Sequence, residues 1–425
     1  MSGSNVSFPV RADERPDAAS CSLGVVAYEM EGQPTGVGRY TEDLLAALRR
    51  VPRAEGWRLR LFFKGDPFDH ALWAGPRSGS CRVEPIFDRR PGAHPILWEQ
   101  FRLPRLLRRE QPDVVFSPGY SLPRTPGRPS LVTIHDLSFE HLPGDFGFRE
   151  LRRRRYLARS AARAATRVLT DTRRTAADLR QRYGLPADRV AVVPLGVSAR
   201  FAAARESAGA GEREHDRALA ELGVRQPYLL VLGSILPRRR LDLVLRALGR
   251  LQREPGPGGS GWDAGPVNLD QLRLVIAGRN QLPRRGELDR LIRAGDWKER
   301  VVRLGYVDDD LLPPLYARAL GTVYVSDYEG YGLPPLESLA AGTPVLVSDA
   351  PALAELWPEY PLRCARLEID ALTEGLRRLL LDDEARRLAR GEGPERVRSL
   401  TWDRAAERFA DQVEAVWRMA REKGP

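Results

Sequence analysis

The sequence predicts an α/β protein made of two doubly wound halves. Short apolar runs of strand length alternate with longer segments of helical period, the pattern of parallel sheets covered by helices. The alternation stops between residues 201 and 222, where Ala, Gly and charged residues dominate, and then begins afresh. At 425 residues the chain has room for two domains of roughly 100–200 residues each.

In the first half, residues 23–28 read as the opening strand. A Gly-rich turn and a helix over 40–50 follow. Residues 59–63, 114–117 and 131–135 are further strands. The last two are short apolar runs ending in polar residues, as buried parallel strands do. A helix over 149–167 carries Leu151, Tyr156, Leu157 and Ala161 on its inner side, and strands over 168–170 and 190–194 complete the half. The first domain is therefore 23–200, preceded by a flexible tail over 1–22. Residues 201–222 read as a linker with some helix.

The second domain spans 223–401, with strands at 228–233, 272–277, 301–304, 322–326 and 344–348. Helices are expected at 241–251, 286–294 and 311–319, and one begins at Pro334. The Gly/Pro-rich stretch 254–265 reads as a surface loop. Residues 402–421 form one amphipathic helix, expected to pack back on the first domain. Open α/β sheets bind ligands beyond the carboxyl ends of their strands, so the site is expected in a central cleft between the two facing sheets.

Composition excludes several classes. Hydrophobic residues make up 42% of the chain, enough for cores and outside the disordered range. No apolar run approaches the ~20 residues of a membrane span. Asp13, Glu14 and Asp17 stand where a signal peptide needs an apolar core, so a cytoplasmic location is expected. Cys21, Cys81 and Cys364 are odd in number and far apart, and the histidines are scattered, which suggests neither a disulfide framework nor a metal site. Of the net charge of +10, most comes from residues 149–182, with twelve arginines against three acids. Such a run is either a solvated face or the contact for an anionic partner. The partner would be a membrane surface or a phosphorylated acceptor, with nucleic acid the least favoured.

The densest chemistry lies in Glu329-Gly-Tyr-Gly-Leu-Pro-Pro-Leu-Glu337, between two predicted strands. Gly330 and Gly332 permit a tight turn with exposed backbone N–H groups. Pro334 suits the first helical position, and the helix's unpaired N–H groups and positive dipole end suit a diphosphate. Glu337, read as lying in the first turn, can accept two hydrogen bonds from ribose hydroxyls, and Glu329 can accept from sugar hydroxyls. A second segment, Leu232-Gly-Ser-Ile-Leu-Pro-Arg-Arg-Arg-Leu241, places Arg238 and Arg239 on a loop between strand and helix, where guanidinium forks match phosphate oxygens. Gly36 and Gly38, read as preceding the helix at Tyr40, would bring backbone close to a phosphate or acceptor. His135, with Asp136 to orient it, ends a strand where cleft residues sit. Asp308-Asp-Asp310 reads as a loop cap before a helix and not as a metal motif.

The Glu-x7-Glu segment followed by Ala-Gly-Thr-Pro-Val resembles the signature of the retaining GT-B glycosyltransferases of family 4 (glycosyltransferase group 1), and the His135-Asp136 strand end and the Pro237-Arg238 loop look most like their mannosyltransferase-like branch. Gly36-Val-Gly-Arg-Tyr40, Thr133-Ile-His-Asp136, Val193-Pro-Leu-Gly-Val197, Leu304-Gly-Tyr-Val307 and Ser399-Leu-Thr-Trp402 resemble further family segments in the right order. The resemblance implies a GT-B fold of two Rossmann-like domains, a nucleotide-sugar donor and retention of configuration. It implies that Glu337 binds the donor ribose and Glu329 the transferred sugar. Gly330, Tyr331, Gly332 and Leu333 would hold sugar and diphosphate, and Tyr306 and Val307 would meet the base. His135, Glu329 and Arg238 become the catalytic candidates, with Gly38, Arg238 and Arg239 completing the donor site. Where the family has Pro-Arg-Lys-Asn, this chain has Pro237-Arg-Arg-Arg240, which keeps charge but changes geometry. No cofactor or metal is expected. GDP-mannose is the first candidate donor, with a UDP-sugar beside it. The acceptor is a glycan, a lipid-linked saccharide or a small molecule, and polysaccharide biosynthesis on the inner membrane face is the expected setting. A nucleotide-sugar isomerase of the same fold and a non-catalytic basic binding protein are the rival readings.

Overall fold

The computed structural model describes residues 20–422 except 34, 75–80, 207–209, 255–267, 283, 285, 295 and 296. The expected tail therefore lies outside the described residues except at its last three positions. The expected 254–265 loop lies outside them except at Glu254.

The first domain is built on seven parallel strands: β1 (Ser22–Val26), β2 (Arg58–Phe63), β3 (Arg82–Phe87), β4 (Val114–Ser117), β5 (Ser130–Thr133), β6 (Arg167–Thr170) and β7 (Val190–Val192). Their order is β3-β2-β1-β4-β5-β6-β7. The second sheet holds β8 (Tyr228–Leu232), β9 (Arg273–Ala277), β10 (Val301–Gly305), β11 (Gly321–Tyr324) and β12 (Val345–Val347), in the order β10-β9-β8-β11-β12. Strand order reverses between β1 and β4 in one sheet and between β8 and β11 in the other. These switch points open the crevices in which such sheets hold ligands.

The helices that matter for the site are α1 (Gly36–Leu48), α2 (Phe148–Ala164), α3 (Arg173–Tyr183), α4 (Ala199–Glu206), α5 (Ala210–Glu221), α6 (Leu241–Arg253), α7 (Leu312–Ala317), α8 (Leu333–Ala340) and α9 (Trp402–Glu422). Side chains alternate across the first sheet as the strand period dictates. Val25, Phe116, Leu131 and Leu169 face the core shared with α1 and α9, while Val26, Val115, Val132 and Val168 face the layer containing Ala158, Ala161 and Ala162 of α2.

Several elements differ from the sequence reading. The first helix begins at Gly36, not Tyr40, because Thr35 caps it by accepting from the Gly38 N–H at 3.1 Å. Residues 201–222, expected as a linker with some helix, lie largely in α4 and α5. These helices lean on α7 and α8, with Phe201 edge-on to Tyr316 at 5.6 Å. The arginine-rich stretch holds the expected helix and strand, and a further helix, α3, follows them. The buried strand β6 separates α2 from α3. Part of its charge is neutralised locally, by Arg154–Glu150 at 2.8 Å, Arg155–Glu140 at 2.9 Å and Arg174–Asp349 at 2.9 Å. Strand β3 carries Pro85 and charged residues at the sheet edge, a place where proline is tolerated.

The chain crosses between the domains twice, near Gly196 and again near Leu400. The two crossings touch, with Val197 N–H donating to the Leu400 carbonyl at 2.8 Å. After the second crossing, α9 lies on the first domain. Phe409 packs its ring on Phe116 at 4.6 Å, and Asp403 pairs with Arg50 at 2.5 Å.

Candidate active site

Both switch points face one cleft. A cavity of about 310 Å³ lies there, lined from the first domain by α1 and from the second by the loops after β8, β9 and β10 and the start of α8. Gly332 caps α8 with φ 89°, a left-handed conformation suited to glycine, and the helix starts at Leu333 with Pro334 in its first turn. Glu337 therefore stands in the second turn, one turn deeper than the sequence suggested.

Glu337 is 5% exposed. The Tyr316 hydroxyl donates to its Oε2 at 2.9 Å, and Arg39 Nη2 of α1 reaches across the cleft to 3.7 Å from Oε1. Burial pushes the Glu337 pKa up, and the charge of Arg39 and the Tyr316 hydrogen bond oppose that rise. Arg39 also pairs with Asp309 at 3.3 Å, which Arg200 approaches at 3.6 Å. Asp43, one turn further along α1, faces the same cavity, and burial pushes its pKa up to about 6.

Glu329 sits in a separate clamp. It is 7% exposed, accepts from the Tyr324 hydroxyl at 3.1 Å, and lies 3.2 Å from Arg239 Nε and 3.8 Å from Arg238 Nε. The Arg239 guanidinium lies 4.1 Å above the Tyr324 ring, a cation–π contact that fixes its plane. Arg239 Nη1 is buried with no hydrogen-bond partner, a donor left over for a ligand. Arg240 turns away in a left-handed conformation, φ 45°, and pairs with Asp242 and Asp327.

His135 follows β5. Its Nδ1 lies 2.8 Å from Asp171 Oδ2 and its Nε2 lies 3.0 Å from the Pro118 carbonyl, so both ring nitrogens are occupied within the first domain. Burial disfavours the charged ring, but Asp171 and the Pro118 carbonyl outweigh it and push the His135 pKa up. Asp136 does not orient the ring. Its Oδ1 accepts from the Ser138 N–H at 2.8 Å, and Asp171 takes the orienting place.

The predicted site residues thus separate into groups. Tyr306, Val307, Leu333 and Glu337 line the cavity. Arg238, Arg239 and Glu329 form the adjoining clamp. Gly330 meets His135 across the domain boundary, where Thr172 Oγ1 donates to the Gly330 carbonyl at 3.1 Å. Tyr331 is buried and donates to the Leu195 carbonyl at 2.7 Å, so it ties the domains together and does not face the cavity. Gly38 is buried too. A Cβ there would stand 2.3 Å from the Glu29 carbonyl oxygen, so its place is set by packing within the first domain. The sequence reading gave Arg39, Asp43 and Arg200 no role, read Asp309 only as part of a loop cap, and met Tyr316 only within Leu315-Tyr-Ala317, which resembles part of the family's base-binding segment. A helix starting at Gly36 puts positions 36, 39, 40 and 43 on one face, so helical spacing would have pointed to Arg39 and Asp43. Among the described residues, no group of three or more His, Cys, Asp or Glu side chains could hold a metal ion.

Residues 34–201 match the family described as Glycosyltransferase Family 4, and residues 212–396 match Glycosyl transferases group 1. The chain is 28% identical to O-antigen chain mannosyltransferase B of Escherichia coli over 390 residues, covering 87% of this chain and 93% of that protein. It is also 28% identical to the MMP alpha-(1->4)-mannosyltransferase of Mycolicibacterium hassiacum, covering 65% of this chain and 59% of that one. Among solved structures, sucrose-phosphate synthase from Thermosynechococcus elongatus superposes with a TM-score of 0.69 at 20% identity, covering 94% of this chain and 99% of that one. HepE of Anabaena, solved with UDP and glucose, gives 0.66 at 15% identity, covering 93% and 100%. These two share the GT-B fold with this chain.

Proposed function

This chain belongs to the group 1 glycosyltransferases of family 4, and from that premise we propose that it moves a hexose from a nucleoside-diphosphate sugar to a lipid-linked saccharide at an anionic membrane face. The observation that carries the donor reading is Glu337, buried in the second turn of α8, beside a cavity open to the loops after β9 and β10. The ribose hydroxyls bind its carboxylate, the base lies against Tyr306 and Val307, and the diphosphate meets the α8 N-terminus. Arg238 and Arg239 neutralise the leaving diphosphate, so charge stabilisation comes from the protein without a metal ion. Transfer proceeds with retention. The acceptor hydroxyl attacks C1 from the face the diphosphate leaves, and a leaving-phosphate oxygen takes its proton. His135 acts as a positioning residue that fixes the main chain opposite Gly330. GDP-mannose is the first candidate donor, supported by the two mannosyltransferase relatives.

The acceptor reading rests on the first domain's surface. Among the described residues, four of the five exposed large hydrophobics, Leu97, Phe101, Phe148 and Tyr156, belong to this domain. Arg124, Arg155, Arg159 and Arg163 line an open groove beside Tyr156, and Gln100 joins the Leu97–Phe101 neighbourhood to the main chain of Arg124 at 3.1 Å. Aromatic side chains among arginines suit the headgroup layer of an anionic bilayer. Among the described residues, no helix is long and apolar enough to cross a membrane.

Thermal-shift titration with GDP, UDP, ADP and their sugar conjugates, with and without magnesium, tests the donor reading. Stabilisation by one nucleotide without magnesium, lost in Glu337→Ala, is expected. No stabilisation by any of them would overturn it.

A further inference from the structure

We propose that Arg39 is a positioning residue of the donor site, the first domain's counter-charge to the carboxylate of Glu337, so that the ribose pocket is complete only when both domains face each other across the cleft. This rests on the reading of Glu337 as the ribose-binding residue.

The geometry is direct. Arg39 stands on α1 of the first domain, and Glu337 and Asp309 belong to the second. One guanidinium bridges both carboxylates, at 3.7 Å and 3.3 Å. Glu337 is approached by four groups from four elements. Tyr316 of α7 donates a hydrogen bond, Arg39 of α1 and Arg200 of α4 add positive charge, and Asp309, in the turn before α7, adds negative charge. Of the two cations, Arg39 has the larger effect on Glu337.

A carboxylate accepts hydrogen bonds from two ribose hydroxyls best when ionised, since its acid form turns one oxygen into an O–H donor and leaves weaker acceptors. Burial alone favours the acid form. The second domain supplies the carboxylate and the Tyr316 hydroxyl, and the first supplies Arg39 through α1. Domain closure and readiness of the ribose pocket are therefore one event. Donor that binds with the cleft open meets a Glu337 lacking its strongest counter-charge.

Calorimetric titration with GDP, UDP and ADP, at several pH values from 6.5 to 8.5, tests this in wild type, Arg39→Met, Arg39→Lys, Glu337→Gln and the Arg39→Met/Glu337→Gln double variant. Without Arg39, the Glu337 pKa climbs further. Binding that needs the carboxylate then falls as pH drops, by about tenfold per unit below that pKa. Arg39→Met should weaken binding at the acid end and far less at the alkaline end, and Arg39→Lys should restore much of the loss. In the Glu337→Gln background, Arg39→Met should change little and the added pH dependence should vanish. That background also separates Glu337 from Asp43, which titrates nearby and also faces Arg39.

A loss in Arg39→Met that is the same at every pH, or that persists undiminished in the Glu337→Gln background, would overturn the proposal, because Arg39 would then contact the nucleotide itself. Wild-type protein that binds none of GDP, UDP and ADP would overturn the donor reading and the proposal with it. Arg39 is partly exposed on its helix, and unchanged thermal unfolding of Arg39→Met confirms that the comparison concerns folded protein.

Discussion

The α-carbon of Gly330 in the second domain lies against the main chain of His135 in the first, so closely that an added Cβ would stand 2.2 Å from the His135 carbonyl oxygen. No side chain fits there without parting the domains. Gly330→Ala should leave each domain folded but hold the cleft ajar. A displacement of about 1 Å between reacting groups costs on the order of 10²-fold in rate. Steady-state kinetics should show that loss in kcat with a melting temperature close to wild type.

Arg238 and Arg239 should separate in their effects. Arg238→Ala is expected to cut kcat by about 10²–10³-fold, the usual cost of one donor to a developing anion, with modest change in nucleotide affinity. Arg239→Ala should lose activity and stability together. Its removal strips Glu329 of its nearer cation and Tyr324 of its stacking partner. Denaturant unfolding beside turnover distinguishes the two, and equal effects on stability would contradict this assignment.

The His135–Asp171 pair makes stability depend on pH. The His135 pKa is raised in the fold above its ordinary 6.5, so its contribution is complete below that value and is lost as pH rises through the folded one. Relative to the neutral double variant His135→Gln/Asp171→Asn, wild-type unfolding free energy should decline from about pH 6.5 upward. Parallel stability curves for the two proteins would show that the pair carries no such linkage.

Sedimentation with vesicles tests the acceptor face. Wild-type protein should bind vesicles rich in phosphatidylglycerol and release as salt rises, since about 1 kcal/mol per arginine near the surface is electrostatic. Phe148→Asp with Phe101→Asp should abolish binding without altering GDP or UDP affinity, as both side chains are largely exposed, 72% and 62%. Retained binding by that variant would move the contact elsewhere.

Much of the fold was legible because buried parallel strands are short apolar runs, and eleven of the twelve strands coincide with such runs. The exception, β3, is an edge strand with Pro85 and a half-exposed pattern, so hydrophobicity barely marks it. The 201–222 segment looked like a linker because, among the described residues, its helices bury few side chains, chiefly Phe201 and Leu219. At the site, Glu337 stood out from the Glu329–Glu337 segment, and Tyr306 from the resemblance of Leu304-Gly-Tyr-Val307 to a family segment; both line the cavity. Arg39 was hidden because Gly36 and Gly38 suggested a turn, whereas the Thr35 cap makes them the first turn of a helix. Gly38 and Tyr331 show the opposite failure. They sit inside recognisable motifs, yet one is fixed by the Glu29 carbonyl and the other by the Leu195 carbonyl.

The paired crossings have a consequence for the order in which the protein can be made. Helix α9 is synthesised after the strands of both sheets, yet it covers Phe116 and packs on α1 in the first domain. On the ribosome, the second sheet has all its strands while the first still presents a bare apolar face to the exit tunnel's surroundings. The nascent chain therefore completes the core of its first domain only after the strands of its second have been made.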